Sequence, residues 1–380
     1  IVPPGLPVAA MAVALQPCAA VSGGRAGVSA VKLFWDPVQL AHTPRFFLQR
    51  GQLRANYEVP ARATALLEGC RSIGLVPERP PVPDRAALEA VHDPAYLDFL
   101  RDGPAGWAVL DDHGPEMVAN IHPAPEMLAN GASLPDSVVG RLGWFTADTS
   151  CPIDAATWPA ALAAAAGAIA AADEAAAGRH AYALARPPGH HTYAARAGGH
   201  CYVNNAALAA ERLRARGAAR VAVLDIDSHH GNGTQGIFWS RPDVLFVSVH
   251  GDPSGYYPWY VGHGSERGAG AGEGCTLNLP LPRGSGDAAW LDALESGLAA
   301  IRRFGADALV LSLGFDASEH EPLAFLTVTA DGFARAARAV AGLGLPVAVV
   351  QEGGYAVDRL GGLVAVFLGE LAGRGGQGPG

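Results

Sequence analysis

RVAVLDIDSHHGNGTQ, residues 220–235, decides the fold. Residues 221–226 form a short β-branched apolar run, the pattern of a strand buried on both faces. Strands buried on both faces belong to parallel sheets covered by helices. This run closes on two aspartates, two histidines and a glycine turn. In parallel α/β sheets, ligands bind beyond the carboxyl ends of the strands. Ionisable groups at that point therefore read as a site and not as surface decoration.

Similar runs occur at 31–35, 182–185, 244–249, 308–313 and 347–351. Helical patterns lie between them at 158–177, 204–216, 287–304, 331–343 and 360–371. The alternation predicts a single α/β domain over 31–373, with a mostly parallel central sheet and helices on both faces. Residues 103–154 break the pattern, being rich in Pro, Gly and Asn with little periodicity. A long irregular stretch inside a compact domain is expected to be a functional or interface loop. Residues 1–30 are apolar, of low complexity and without the positive start of a secretory signal. They read as a tail, disordered or foreign to the native protein, and 374–380 as a second tail.

Composition narrows the function. The chain is 49% hydrophobic and 17% charged, enough to build a sizeable core. A net charge of −9 disfavours nonspecific nucleic-acid binding and mildly favours cationic ligands, although ordinary solubility also accounts for it. Five cysteines without a CxxC pair resemble neither a disulfide framework nor a structural zinc site, which suits a reducing cytoplasm. No apolar run suits a membrane span.

Five strand ends carry polar or aromatic groups beside Gly or Pro: RPPGHH, DSHHGNGT, HGDPSGYYPWY, GFDASEHEP and EGGYA. Asp227 and His229 are two residues apart, so their side chains share one side of an extended chain. With Asp316 they make an Asp–His–Asp set that leaves a divalent ion open positions. Zinc suits these donors, and Fe²⁺ or Co²⁺ is also compatible. His190 and His191 follow two prolines and a glycine, and suit proton transfer, metal ligation or a solvent-facing loop. Tyr355 after Gly353 and Gly354 offers a phenol to an oxyanion.

RPPGHH, DIDSHHGNGTQ, LGFDA and EGGY, in this order and at these separations, resemble the histone deacetylase family of zinc amidohydrolases with the arginase–deacetylase fold. HGDP, GAGAGEG, LPRGSG and YVNNAA give the closest likeness to its bacterial acetylpolyamine amidohydrolases. The resemblance implies zinc on Asp227, His229 and Asp316. It implies tandem catalytic histidines His190 and His191, backed by Asp225 and Asn232, and a carbonyl-polarising Tyr355. It implies structural potassium, one ion at Asp225, Asp227, His229, Ser248 and Val249 and another at Phe238, Arg241 and Val244. A substrate tunnel follows from Gly199, His200, Tyr257, Leu323 and Gly353. Here His200 stands where the family usually has Phe or Tyr, which implies a narrower, more polar wall, read either as a simple steric replacement or as a source of pH dependence. In the bacterial relatives a loop matching 103–154 builds a dimer and narrows the mouth, with acids near the polyamine tail. Asp111, Asp112, Glu116 and Glu126 lie in it, and Glu116 is the best match.

The expected function is deacetylation of a small acylated amine, acetylpolyamines foremost. Protein acetyl-lysine hydrolysis and a catalytically silent acyl-amine binder are the alternatives.

Overall fold

The computed structural model describes residues 31–322 and 325–373. The tails read at 1–30 and 374–380 lie outside the described residues, as does Leu323. The strands are β1 (Lys32–Phe34), β2 (Phe46–Gln49), β3 (Gln52–Ala55), β4 (Pro77–Glu78) and β5 (Ala181–Ala183). They continue with β6 (Val221–Asp225), β7 (Val244–Gly251), β8 (Thr276–Leu281), β9 (Ala308–Leu313) and β10 (Val347–Gln351).

Eight of them form one sheet in the order β4-β1-β5-β10-β9-β6-β7-β8, and every pairing in it is parallel. The strands whose ends looked functional, β5, β10, β9, β6 and β7, are five consecutive neighbours. Their carboxyl ends therefore share one edge of the sheet.

Alternation along each strand divides the core in two. Leu224, Val247, Leu311 and Val349 face one apolar layer, while Val223, Phe246, Val310 and Val350 face the other. Each such side chain, fully buried, contributes roughly 1.5–3 kcal/mol. Helices Pro60–Ser72, Asp287–Phe304, Ala330–Ala341 and Val357–Leu371 cover the first face. Helices Thr157–Ala176 and Asn205–Ala215 cover the second, where alanines allow close approach. Asn204 caps its helix by accepting the Ala207 N–H at 2.9 Å. No helix among the described residues is long and apolar enough to cross a membrane.

The segment 103–154 is less irregular than its composition predicts. Helix Pro94–Trp107 runs into it, and two short helices follow, Pro125–Ala129 and Val138–Trp144. Met117, Leu142, Phe145, Cys151 and Ile153 are buried, so the segment is anchored by separate apolar side chains. Gly103, Pro104 and Gly106 interrupt any 3.6-residue period there, which is why no helix is legible.

Candidate active site

Beyond the shared edge lies a cleft of about 1350 Å³. Its floor is built first by backbone. Asp225 ends β6, and its Oδ1 accepts the Asp227 N–H at 3.1 Å. Asp227 Oδ1 in turn accepts the His229 N–H at 2.9 Å, and its Oδ2 accepts the Gly353 N–H at 2.8 Å. Asp316, three residues past β9, accepts the Ser228 N–H at 2.7 Å through Oδ1. These bonds aim the side chains at one another.

His229 Nδ1 lies 3.2 Å from Asp227 Oδ1 and 2.9 Å from Asp316 Oδ2. One donor atom from each of the three residues falls within 4.8 Å of the others. All three residues are buried, a costly arrangement for two carboxylates unless a cation joins them. Glycines keep the space open. A Cβ on Gly314 would sit 2.0 Å from Asp227 Oδ2, and one on Gly353 would sit 2.5 Å from Asp316 Oδ2. The donor set of one nitrogen and two carboxylates fits a divalent ion.

The two histidines stand beside this triad with ring centroids 4.0 Å apart. His190 Nδ1 lies 2.9 Å from Asp225 Oδ2, and His191 Nδ1 lies 2.6 Å from Asn232 Oδ1. Glu352 Oε2 accepts the N–H groups of Gly189 and His190 at 2.7 and 3.1 Å, fixing the turn. Burial opposes charge on His190, but the carboxylates of Asp225 and Asp227 outweigh it and raise its pKa. Burial, helped by the charge on His190, pushes His191 well below the usual histidine range. The two rings thus shift in opposite directions: the carboxylates of Asp225 and Asp227 raise His190, while burial and the neighbouring imidazole charges lower His191.

Tyr355 closes the site. Arg62 donates to the carbonyls of Glu352, at 2.7 Å, and Gly354, and its guanidinium lies 4.8 Å from the Tyr355 ring centroid. Glu58 holds Arg62 at 2.7 Å. Burial keeps the phenol pKa well above its ordinary value, so its proton is available for donation.

Gly199, His200 and Tyr257 line the cleft as expected. Gly199 has φ +54°, and a Cβ there would meet His191 Cδ2 at 2.4 Å and Tyr257 Oη at 2.8 Å. The His200 ring packs edge-on to Phe47 at 5.5 Å and Tyr355 at 6.2 Å. Burial lowers its pKa to about 4, so this wall is uncharged near neutrality, which favours a steric replacement over a source of pH dependence. Gly353, expected on the wall, lies on the floor under the two carboxylates, where only hydrogen leaves them room.

Glu116 is not at the mouth. It is 5% exposed, and its Oε1 accepts from Arg45 N–H at 2.8 Å and Nε at 3.2 Å. It anchors the segment instead of facing the cleft. The acid that lines the cleft is Asp148. Its Oδ2 accepts the Tyr257 hydroxyl at 2.6 Å and the Gly199 N–H at 3.1 Å, and its Oδ1 accepts the Ser150 N–H at 2.7 Å. No motif marks Asp148, Glu58 or Arg62 in the sequence; Glu352 sits inside EGGY, and its adjacency to the motif glycines was the available signal.

For the expected potassium positions, Asp225 pairs with Ser248 in the β6–β7 register, and Val249 follows. Phe238 ends the short helix Asn232–Phe238, Arg241 lies on the turn that follows and Val244 opens β7; the Phe238 carbonyl accepts the Arg241 N–H at 2.9 Å.

Comparison with known proteins accords with this geometry. The family described as "Histone deacetylase domain" matches residues 56–371. The acetylpolyamine amidohydrolase of Burkholderia pseudomallei is 45% identical over 329 residues, covering 86% of this chain and 94% of that protein. Acetylpolyamine amidohydrolase 1 of Pseudomonas aeruginosa is 42% identical over 313 residues, covering 82% and 90%. A crystal structure of the Burkholderia pseudomallei acetylpolyamine aminohydrolase superposes with a TM-score of 0.86 at 44% identity, over 90% of this chain and 98% of that one. With its parallel sheet, strand-end triad and paired histidines, this chain belongs to the histone deacetylase family.

Proposed function

We propose that the protein is a zinc-dependent amidohydrolase that removes acetyl groups from acetylpolyamines or similar small cationic amines. The observation that carries the reading is the convergence of Asp227, His229 and Asp316 on one point, with His191 and Tyr355 both lining the cleft beside it. The similar proteins named acetylpolyamine amidohydrolases support the substrate class.

Bound at the triad, zinc would supply Lewis acidity to the scissile carbonyl and to the attacking water. The rest is the work of side chains. Asn232 Oδ1 holds the Nδ1 proton of His191, which leaves Nε2 with a lone pair to take a proton from water. His190, kept cationic by Asp225, offsets the negative charge gathered on the floor. The Tyr355 hydroxyl donates to the carbonyl oxygen as that atom gains charge. A histidine then returns a proton to the departing amine. Tyr257 and His200 wall the alkyl chain of the amine, and Asp148 presents a carboxylate toward the substrate's remaining ammonium.

The same reading includes potassium at the end of β6 beside β7, a second potassium between Phe238 and Val244, and a homodimer. Exposed Ile121, Met127 and Leu128 in the 103–154 segment support the dimer. A second substrate reading, an acylated amine bearing a carboxylate, is favoured by Arg50, Arg54 and Arg196 on the outer rim.

The test is a panel of N-acetylputrescine, N-acetylspermidine, free Nε-acetyl-lysine and an acetyl-lysine peptide, assayed with zinc-loaded protein. The highest kcat/KM is expected on an acetylpolyamine. Preference for free acetyl-lysine transfers the assignment to the carboxylate-bearing class, and preference for the peptide to protein deacetylation. No turnover of any of them, with zinc bound, would leave a binding protein.

A further inference from the structure

Tyr355 follows two glycines, and Gly354 has φ +117°, a conformation side-chain-bearing residues rarely adopt. Backbone preference therefore does little to fix the phenol, and contacts to the flanking peptide groups must do so. Arg62 holds the peptide groups before it. The peptide groups of Tyr355 itself and Ala356 are held by Glu321. Both Glu321 carboxylate oxygens lie 2.9 Å from the Tyr355 nitrogen, and Oε1 lies 3.0 Å from the Ala356 nitrogen.

Three further features make this contact more than local packing. Glu321 is 4% exposed, and a buried carboxylate is costly unless well hydrogen-bonded. It takes the N-terminal end of helix Val357–Leu371, whose N-cap residue, Ala356, supplies no side-chain bond. There the acidic group satisfies N–H groups and complements the helix dipole. Glu321 also belongs to the turn that follows Asp316: its N–H donates to Ser318, and the Ser318 N–H donates to Phe315. Its neighbour Pro322 lines the cleft, while Glu321 itself does not.

We propose that Glu321 is the positioning residue of the phenol: its buried carboxylate clamps the peptide groups of residues 355 and 356 and so holds the Tyr355 hydroxyl over the scissile carbonyl. The clamp also joins the strand end that carries Asp316 to the cleft rim and to the phenol. This proposal rests on the reading of Tyr355 as carbonyl-polarising, and its test separates the two.

The experiment is a double-mutant cycle on the full, zinc-loaded chain with the best acetylated amine of the panel. Glu321→Ala is expected to lower kcat about tenfold, with KM changed less than about twofold and bound zinc unchanged, because a displaced donor fails mainly in the transition state. Glu321→Gln, which keeps one oxygen acceptor at the same reach, is expected to lose about threefold. In a Tyr355→Phe background, both substitutions are expected to cost less than about twofold, since the hydroxyl they position is gone. Equal losses in both backgrounds, a loss confined to KM, or loss of zinc overturns the positioning role. Should Glu321→Ala fail to fold, the Glu321→Gln cycle decides by the same criteria. Tyr355→Phe alone at wild-type kcat overturns the assignment of Tyr355, whatever Glu321 does.

Discussion

The floor and the mouth of the cleft are built by different means. On the floor, Asp225, Asp227 and Asp316 stand at or just past the ends of β6 and β9, and Gly353 just past the end of β10. The sheet ladder sets their spacing, and backbone N–H groups of 227, 228, 229 and 353 aim the carboxylates. At the mouth, the β2–β3 hairpin, Asp148 and the 257–261 loop line the cleft from outside the eight-stranded sheet, with Leu53 and Tyr260 exposed. Chemistry is thus assigned to the rigid part and selectivity to the part that can vary without disturbing it.

The sharpest way to break that division is to remove one floor ligand. Asp316→Ala leaves Asp227 and His229 with an incomplete donor set and frees the Ser228 N–H. Bound divalent metal, measured by mass spectrometry of the dialysed protein, is expected to fall from one equivalent to near zero, and hydrolysis below detection. Full metal retention would show that the floor does not work as a three-ligand unit.

A change at the mouth should act on binding and leave the chemistry alone. Asp148→Asn keeps an oxygen for the Gly199 and Tyr257 contacts but removes the charge. For a partly exposed carboxylate meeting an ammonium, KM for an acetylpolyamine is expected to rise about fivefold with kcat little changed. The effect should shrink in high salt and vanish for a neutral acylated amine. An equal loss on cationic and neutral substrates would make Asp148 a scaffold of the Tyr257 wall and would blur the division between floor and mouth.

The same division explains what could be read from the residues alone. Strand ends were legible because β-branched runs declare themselves and an i, i+2 pair such as Asp227 and His229 must share a side. The parallel-sheet rule alone put five motifs on one edge, but that their strands are consecutive neighbours was not read from the sequence. The mouth was not legible for a physical reason. Glu116 and Asp148 are both acids in a stretch broken by Pro and Gly, and sequence spacing does not say which is buried. Tertiary packing does: Arg45 takes Glu116 inward, while Gly199, Ser150 and Tyr257 hold Asp148 at the cleft. The β2–β3 hairpin was missed likewise, since Gln52–Ala55 is exposed and carries no core pattern.

His200 gives the mildest and most diagnostic test, because it sits between the two regions. Its ring contacts Phe47 of the hairpin and Tyr355 of the floor. Burial lowers its pKa to about 4 from an ordinary value near 6.5. Between those values the unfolded chain binds this proton and the folded chain does not. The stability that comes from keeping the ring neutral is therefore complete above about pH 6.5 and declines as pH falls toward 4. His200→Phe removes that term, so the difference in melting temperature between variant and wild type should move in favour of the variant as pH drops through the window. Above it the ring is neutral, and kcat/KM of the two proteins should run parallel in pH, offset by a constant steric factor. Curves that diverge between pH 6 and 8 would mean that His200 titrates in the free enzyme within that range, which would give this wall an electrostatic part in catalysis as well as a shape.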